Sequence, residues 1–191
     1  MRVFAFSVAT VFTALTAPSA LAQTSADWSG FYAGLTAGTN RGEQDYYNNG
    51  LDYYFKGETY GLIAGYNQAT AGPWVYGAEL GLIGGSVYEE DIDTGEEYPE
   101  YEFNRFIDAK ARVGYAVDDY LFYGALGYSH AEWSEGGDPY SGGGPLFALG
   151  VDYRVADRYF IGAEIQRRDL HVNYPFEATV DTLSIRAGLS F

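Results

Sequence analysis

The sequence predicts an all-β protein, an eight-stranded antiparallel up-and-down transmembrane β-barrel. Three observations carry this. Eight segments alternate apolar with small or polar residues at period two, the repeat that puts successive side chains on opposite faces of a strand. The charged residues of those segments share one face with glycines, and the other face is aliphatic and aromatic. The connections alternate between long polar stretches and tight turns, as in a barrel with loops at one end and turns at the other.

A leader precedes the first strand. Met1 and Arg2 form a short positive start, 3–15 carries no charge, and Ala20-Leu21-Ala22 offers a small-x-small cleavage pattern before Gln23. Residues 1–22 therefore read as a signal peptide and 23–191 as one barrel domain. The apolar run is too short to be an anchor, since a spanning helix needs about 20 apolar residues. No later stretch is long and apolar enough for such a helix. A mean hydropathy of −0.19 reads as soluble. That reading fails for barrels, where only alternate residues meet lipid. There is no cysteine, so an exported chain of this kind relies on its core or its hydrogen-bond ladder. A net charge of −15 with only 11 Lys and Arg argues against nucleic acid, whose phosphates need basic partners. The counts of Gly (25) and Tyr (19) fit β structure with aromatic anchors and one crowded face kept small.

The segments follow in order. The first, 28–39, puts Phe31, Ala33, Leu35 and Ala37 on one face and Tyr32, Gly34, Thr36 and Gly38 on the other. In 55–68, Tyr60, Leu62, Ala64 and Tyr66 oppose Thr59, Gly61, Gly65 and Asn67, with Ile63 breaking the polar face. In 74–86, Trp74, Tyr76, Ala78, Leu80 and Leu82 oppose Gly77, Glu79 and Gly81. The clearest is 103–117, where Ile107, Ala109, Ala111, Val113 and Tyr115 alternate with Asp108, Lys110, Arg112 and Gly114. Segment 120–132 has no decided phase, because both faces are fairly apolar. In 145–155, Phe147, Leu149, Val151 and Tyr153 oppose Ala148, Gly150, Asp152 and Arg154. In 159–169, Ile161, Ala163 and Ile165 oppose Gly162, Glu164, Gln166 and Arg168. The last, 178–191, sets Leu183, Ile185, Ala187, Leu189 and Phe191 against Thr182, Ser184, Arg186, Gly188 and Ser190.

Between them, 40–54, 87–102, 133–144 and 170–177 read as long polar loops, and 69–73, 117–120 and 156–158 as tight turns. Four loops and three turns require eight strands, and the even count puts both chain ends on one side. A closed barrel satisfies every backbone group without an edge strand, which hydrocarbon demands. A soluble barrel such as a lipocalin alternates in the opposite sense, apolar inside and charged outside. Here it would have to bury Asp108, Lys110 and Arg112 together or expose the apolar row beside them. The lumen is thus expected to hold Glu79, Asp108, Lys110, Arg112, Asp152, Arg154, Glu164, Arg168 and Arg186 as a paired network. Trp28, Phe31, Tyr66, Trp74, Tyr115, Tyr120, Tyr153, Tyr159 and Phe191 are expected to form an aromatic girdle near the turn-side rim.

Short pieces in their order resemble the opacity-type, OmpA-membrane-domain-like small outer-membrane barrels of proteobacteria. They are Trp28-Ser29-Gly30-Phe31-Tyr32-Ala33-Gly34-Leu35, Gly65-Tyr66-Asn67-Gln68, Tyr76-Gly77-Ala78-Glu79, Ala111-Arg112-Val113-Gly114-Tyr115-Ala116 and the closing run 182–191. The resemblance spans nearly the whole mature chain. It implies an integral outer-membrane protein with extracellular loops and periplasmic termini. It also implies insertion by the barrel assembly machinery, which reads an alternating last strand ending in an aromatic, here Phe191, after passage with periplasmic chaperones. The remaining expected partners are outer-membrane lipid and lipopolysaccharide, with no nucleic acid.

Candidate chemistry is sparse, and no catalytic, cofactor or metal residues are expected. His130 and His171 have Ser134, Asp138 and Asp169 near in sequence, but no spacing marks a dyad. The acidic run Glu89, Glu90, Asp91, Asp93, Glu96, Glu97, Glu100 and Glu102 lacks the D-x-[DN]-x-[DN]-G pattern of a calcium loop and reads as a solvated face. Gly142-Gly143-Gly144 has no phosphate-binding strand–helix context. Tyr46-Tyr47-Asn48-Asn49 and Tyr53-Tyr54 read as an outer belt before a recognition surface. Eight strands leave an interior just wide enough for side chains. The expected role is a structural outer-membrane protein with a plugged lumen that displays acidic loops. The alternatives are a narrow solute channel and an adhesin or receptor acting through the loops.

Overall fold

The computed structural model describes residues 28–46, 53–91, 93–171 and 176–191, so the expected leader at 1–22 lies outside the described residues. Eight strands make up nearly all of this chain: β1 (Gly30–Tyr46), β2 (Tyr53–Ala69), β3 (Trp74–Asp91), β4 (Glu97–Val117), β5 (Tyr120–Glu135), β6 (Asp138–Ala156), β7 (Tyr159–His171) and β8 (Phe176–Ser190). Each pairs antiparallel with its neighbours in chain order. β1 pairs with β8, from Tyr32 opposite Ser190 to Tyr46 opposite Phe176, and closes the ring. Closure leaves no unpaired edge around the barrel wall.

Three tight turns join β2–β3, β4–β5 and β6–β7 at one end, as expected. The β4–β5 turn is Asp118-Asp119, with Asp118 at φ 54°. Aspartate tolerates this left-handed conformation better than most side chains.

The other end differs from expectation. Three of the four expected long loops are mostly strand, 40–54 among them, since β1 runs to Tyr46 and β2 begins at Tyr53. β5 runs to Glu135 and β6 begins at Asp138, so 133–144 is a ladder closed by Gly136-Gly137. Both glycines have positive φ (57° and 97°), the conformation of a two-residue hairpin turn. The glycine run read as a loop, 142–144, lies inside β6. A Cβ on Gly144 would collide with the carbonyl oxygen of Asp169 on β7, so glycine permits the close strand approach there. Likewise β3 reaches Asp91 and β4 begins at Glu97, with a short turn closed by Gly95 N–H donating to the Asp91 carbonyl at 2.9 Å. Polar strands that rise clear of lipid lose the apolar alternation that identifies a strand, which is why they read as loops.

Outside, the wall carries the expected apolar rows. Leu35, Tyr60, Leu62, Leu80, Leu126, Leu149, Ile165 and Ile185 are all exposed. The undecided phase of β5 resolves with Leu121, Tyr123, Ala125, Ser129, Ala131 and Trp133 inward and Phe122, Leu126, Tyr128 and His130 outward. Eight of the nine expected girdle aromatics face outward near the turn end. Trp28 does not: it is 6 % exposed and lies under the Arg154 guanidinium, 4.7 Å from the ring centroid. Preceding β1, it folds across the opening instead of standing on the wall.

Candidate functional site

The lumen is stacked in three layers, with charge in the middle and apolar side chains at both ends. At the turn end, Trp28, Tyr32, Val75, Leu121 and Phe160 form one buried cluster. Towards the hairpin end, Phe55, Ile83, Val87, Phe103, Phe106, Ala131, Trp133, Leu170, Ala178 and Val180 form a larger one. Between them, inward positions of β3, β4, β6, β7 and β8 deliver four buried carboxylates and four buried cations.

Glu79 on β3 is the hub. Its Oε1 lies 2.8 Å from Lys110 Nζ, and its Oε2 lies 3.1 Å from Arg112 Nη1 and 2.5 Å from Arg186 Nη2. The Tyr32 hydroxyl donates to the same Oε2 at 2.7 Å and accepts from Arg112 Nη1 at 2.5 Å. Across the lumen, Glu164 on β7 accepts from Lys110 at 2.7 Å, Arg186 at 3.3 Å and the Tyr123 hydroxyl at 3.0 Å. Asp152 on β6 pairs with Arg112 Nη2 at 2.9 Å and Arg186 Nε at 3.2 Å. One level nearer the hairpin end, Asp108 takes two bonds from Arg168, at 3.2 and 2.7 Å, and a third from Gln166 at 2.9 Å.

Aromatic rings insulate these cations. Arg112 lies over Tyr123 at 3.7 Å, Arg168 over Phe106 at 4.6 Å, and Arg186 sits 5.7 Å from Phe160. Phe106 and Phe160 belong to opposite apolar layers, so each layer abuts the charges directly. Desolvated cation–π contacts of this kind reach about 2 kcal/mol. Glycines on the inward face make the room. A Cβ on Gly65 would strike the Tyr32 ring, and one on Gly150 would strike Tyr123. Little space remains: a cavity among Glu79, Asp108, Lys110, Glu164 and Arg168 measures about 20 Å³. That is room for roughly one water.

Eight of the nine sequence-predicted lumen residues meet in this network. The ninth, Arg154, is at the turn end over Trp28. Sequence reasoning did not single out Tyr32, Tyr123 or Gln166. Each is neutral; the inward position on an alternating strand was the available signal for Tyr32 and Gln166, whereas Tyr123 lies on β5, where two apolar faces left the phase undecided. The other candidates do not converge. His130 stands on the outer face of β5, and Ser134 is about 13 Å further along the same strand. His171 Nε2 lies 3.4 Å from the Glu177 carboxylate, both well exposed, and Asp169 accepts from the Thr179 hydroxyl at 3.4 Å. The terminal Phe191 is exposed, its N–H bonded to the Phe31 carbonyl at 2.8 Å. Among the described residues, no group of three ligating side chains is placed to hold a metal ion. Tyr54 is exposed, whereas 47–52 and the side chains of Tyr46 and Tyr53 lie outside what is described.

Comparison with known proteins agrees with this geometry. No curated protein matches the sequence. Among solved structures, the attachment invasion locus protein Ail of Yersinia pestis aligns with a TM-score of 0.54 at 16 % identity, covering 85 % of this chain and 99 % of Ail. Neisserial surface protein A aligns at 0.55 and 17 %, covering 85 % of this chain and 98 % of its own. OprG of Pseudomonas aeruginosa aligns at 0.50 and 12 %, covering 85 % and 96 %. At such identities the likeness is one of fold. The outer-membrane protein β-barrel domain family matches residues 8–191. A closed ring of eight strands with an apolar outer wall, a paired charged interior and a family match over nearly its whole length identifies the chain as a member of the outer-membrane β-barrel family, an integral protein of the Gram-negative outer membrane.

Proposed function

We propose that the protein is a structural, non-conducting element of the outer membrane, and that its hairpins are what it presents to the exterior. The observation that carries this is the filled lumen: four carboxylates against four cations, an apolar layer at each end, and about 20 Å³ between them. A hydrated ion needs a continuous water path, and a space for roughly one water does not make one. Buried ion pairs add little net stability compared with an apolar core, but losing one partner is costly. The network therefore acts as a lock that favours one packing of eight strands.

In this reading the three tight turns and both chain ends face the periplasm, and the β3–β4 and β5–β6 hairpins project outside. The leader at 1–22 is removed on export. Phe191, exposed at the end of β8, is the residue offered to the assembly machinery, with periplasmic chaperones holding the chain in transit. The outward aliphatic rows meet lipid and the acyl chains of lipopolysaccharide.

Conductance tests the role. Refolded protein in a planar bilayer at high salt should give traces like the protein-free membrane. Sustained unitary steps would replace the structural reading with the narrow-channel one. A second measurement addresses the hairpins: replacing the exposed turn residues 93–96 of the β3–β4 hairpin should leave surface adhesion of whole cells unchanged, and lost adhesion would favour an adhesin.

A further inference from the structure

The inward-facing row of β3 does not end with its apolar residues. Beyond Val87 the next inward side chain is Glu89, which is 7 % exposed. It lies seven residues past Leu82, the last outward aliphatic side chain of β3, or about 20 Å along the strand and clear of the apolar wall. Its ladder partners are Phe55 on β2 and Tyr98 on β4. The larger apolar cluster, with Phe55, Val87, Phe103 and Trp133, lies beside it.

No ion pair or hydrogen bond engages the Glu89 carboxylate among the described residues. The charged groups that act on it are Glu100 from β4 and Glu135 from β5, both of its own sign. Lys56 on β2 is the nearby cation in sequence register. It follows Phe55, so the strand alternation turns it to the other face, where Glu90 and Glu97 engage it. From β7 and β8 the same cluster presents Leu170, Ala178 and Val180, none of which can compensate charge. Burial first, and then the Glu135 and Glu100 carboxylates, push the Glu89 carboxyl up to about 7.

We propose that Glu89, Glu100 and Glu135 form a proton-operated latch at the hairpin end of the barrel. With Glu89 neutral, the ends of β3, β4 and β5 pack closed over the apolar layer. When it ionises, a largely buried carboxylate without a counter-charge faces two others, and the ends part to hydrate it more fully.

The carboxyl titrates higher in the closed state than in an open or unfolded one, so closure holds the extra proton and weakens as pH rises from about 4.5 towards 7. The latch is thus shut in acid and released in neutral or alkaline surroundings.

Trp133 reports on the movement, because its ring packs 5.6 Å from Phe55 and 4.8 Å from Phe103 beside Glu89. The experiment follows tryptophan emission and iodide quenching of the W28F/W74F protein in lipid vesicles from pH 5 to 9. Heat-shifted gel mobility verifies that each variant is folded. The expected result is a red shift and increased quenching with a midpoint near pH 7. Glu89→Gln should abolish the transition, and E100Q/E135Q should move its midpoint down towards the ordinary carboxylate range. A flat profile in the parent, or an unchanged transition in Glu89→Gln, would overturn the proposal. Repeating the titration with millimolar Ca²⁺ should leave the midpoint in place. A calcium-dependent midpoint would show that a divalent cation, not the proton, is the counter-charge, and would also overturn it.

Discussion

Replacing Glu79 by glutamine tests the lumen lock where it is most connected. The side chain keeps its shape but loses the charge that meets Lys110 at 2.8 Å, Arg112 at 3.1 Å and Arg186 at 2.5 Å. Four cations would then face three carboxylates. Removing one partner of a buried pair typically costs about 3–5 kcal/mol. Glu164 still serves Lys110 and Arg186, and Asp152 still serves Arg112 and Arg186, which places the loss at the low end, about 3 kcal/mol. With a urea slope of about 2–3 kcal/mol per molar, the unfolding midpoint should fall by about 1–1.5 M. Equilibrium urea unfolding from lipid vesicles, read by tryptophan fluorescence and by gel mobility without boiling, measures this. Adding Lys110→Met restores three charges of each sign and should recover more than half of the shift. A midpoint within about 0.2 M of the parent, inside the error of such extrapolations, would refute the argument. So would a double variant no more stable than the sum of the two single losses predicts.

Other perturbations separate inside from outside. Arg168→Ala removes the two bonds to Asp108 in the buried lumen and should cost about 3–5 kcal/mol. Arg167→Ala breaks an ion pair with Asp181 whose side chains are 57 % and 51 % exposed, and should cost no more than about 1 kcal/mol in the same urea assay. Gly65→Ala forces a methyl against the Tyr32 ring and the Ala78 carbonyl. It should destabilise by about 1–3 kcal/mol although alanine suits a strand better. Arg112→Ala leaves Glu79, Asp152 and the Tyr32 hydroxyl each short of one donor, so its urea resistance should fall while conductance stays absent.

The wall of this barrel was readable because lipid enforces one rule at every outward position. Ile107, Ala109, Ala111, Val113 and Tyr115 had to be apolar, and Asp108, Lys110 and Arg112 between them had to be inside. The ends of the lumen follow no such rule. Phe55 sits inward between Tyr54 and Lys56, and Trp133 between Glu132 and Ser134, so alternation there runs apolar-in, the reverse of the membrane wall. Ile63, which interrupted an otherwise polar face, was the visible trace of an inward apolar side chain. Val87 and Glu89 fell in a stretch whose acidity resembled a solvated loop. On the facing strand β4 the phase also shifts, where a bulge between Phe103 and Arg105 leaves Phe103 and Phe106, three residues apart, both inward. Trp28 looked like a girdle residue because it adjoins the first strand, and only the path of the chain before Gly30 shows that it covers the opening.

The closed lumen has a direct test, helped by a chain with no native cysteine. Ser184 is 8 % exposed, faces inward on β8 and lines the small central cavity. Ser184→Cys in vesicles should resist a water-soluble maleimide added to both sides, while the exposed hairpin control Ser141→Cys reacts readily. Rapid labelling of the folded Ser184→Cys barrel would show water and solute reaching the middle of the lumen, contrary to a sealed interior.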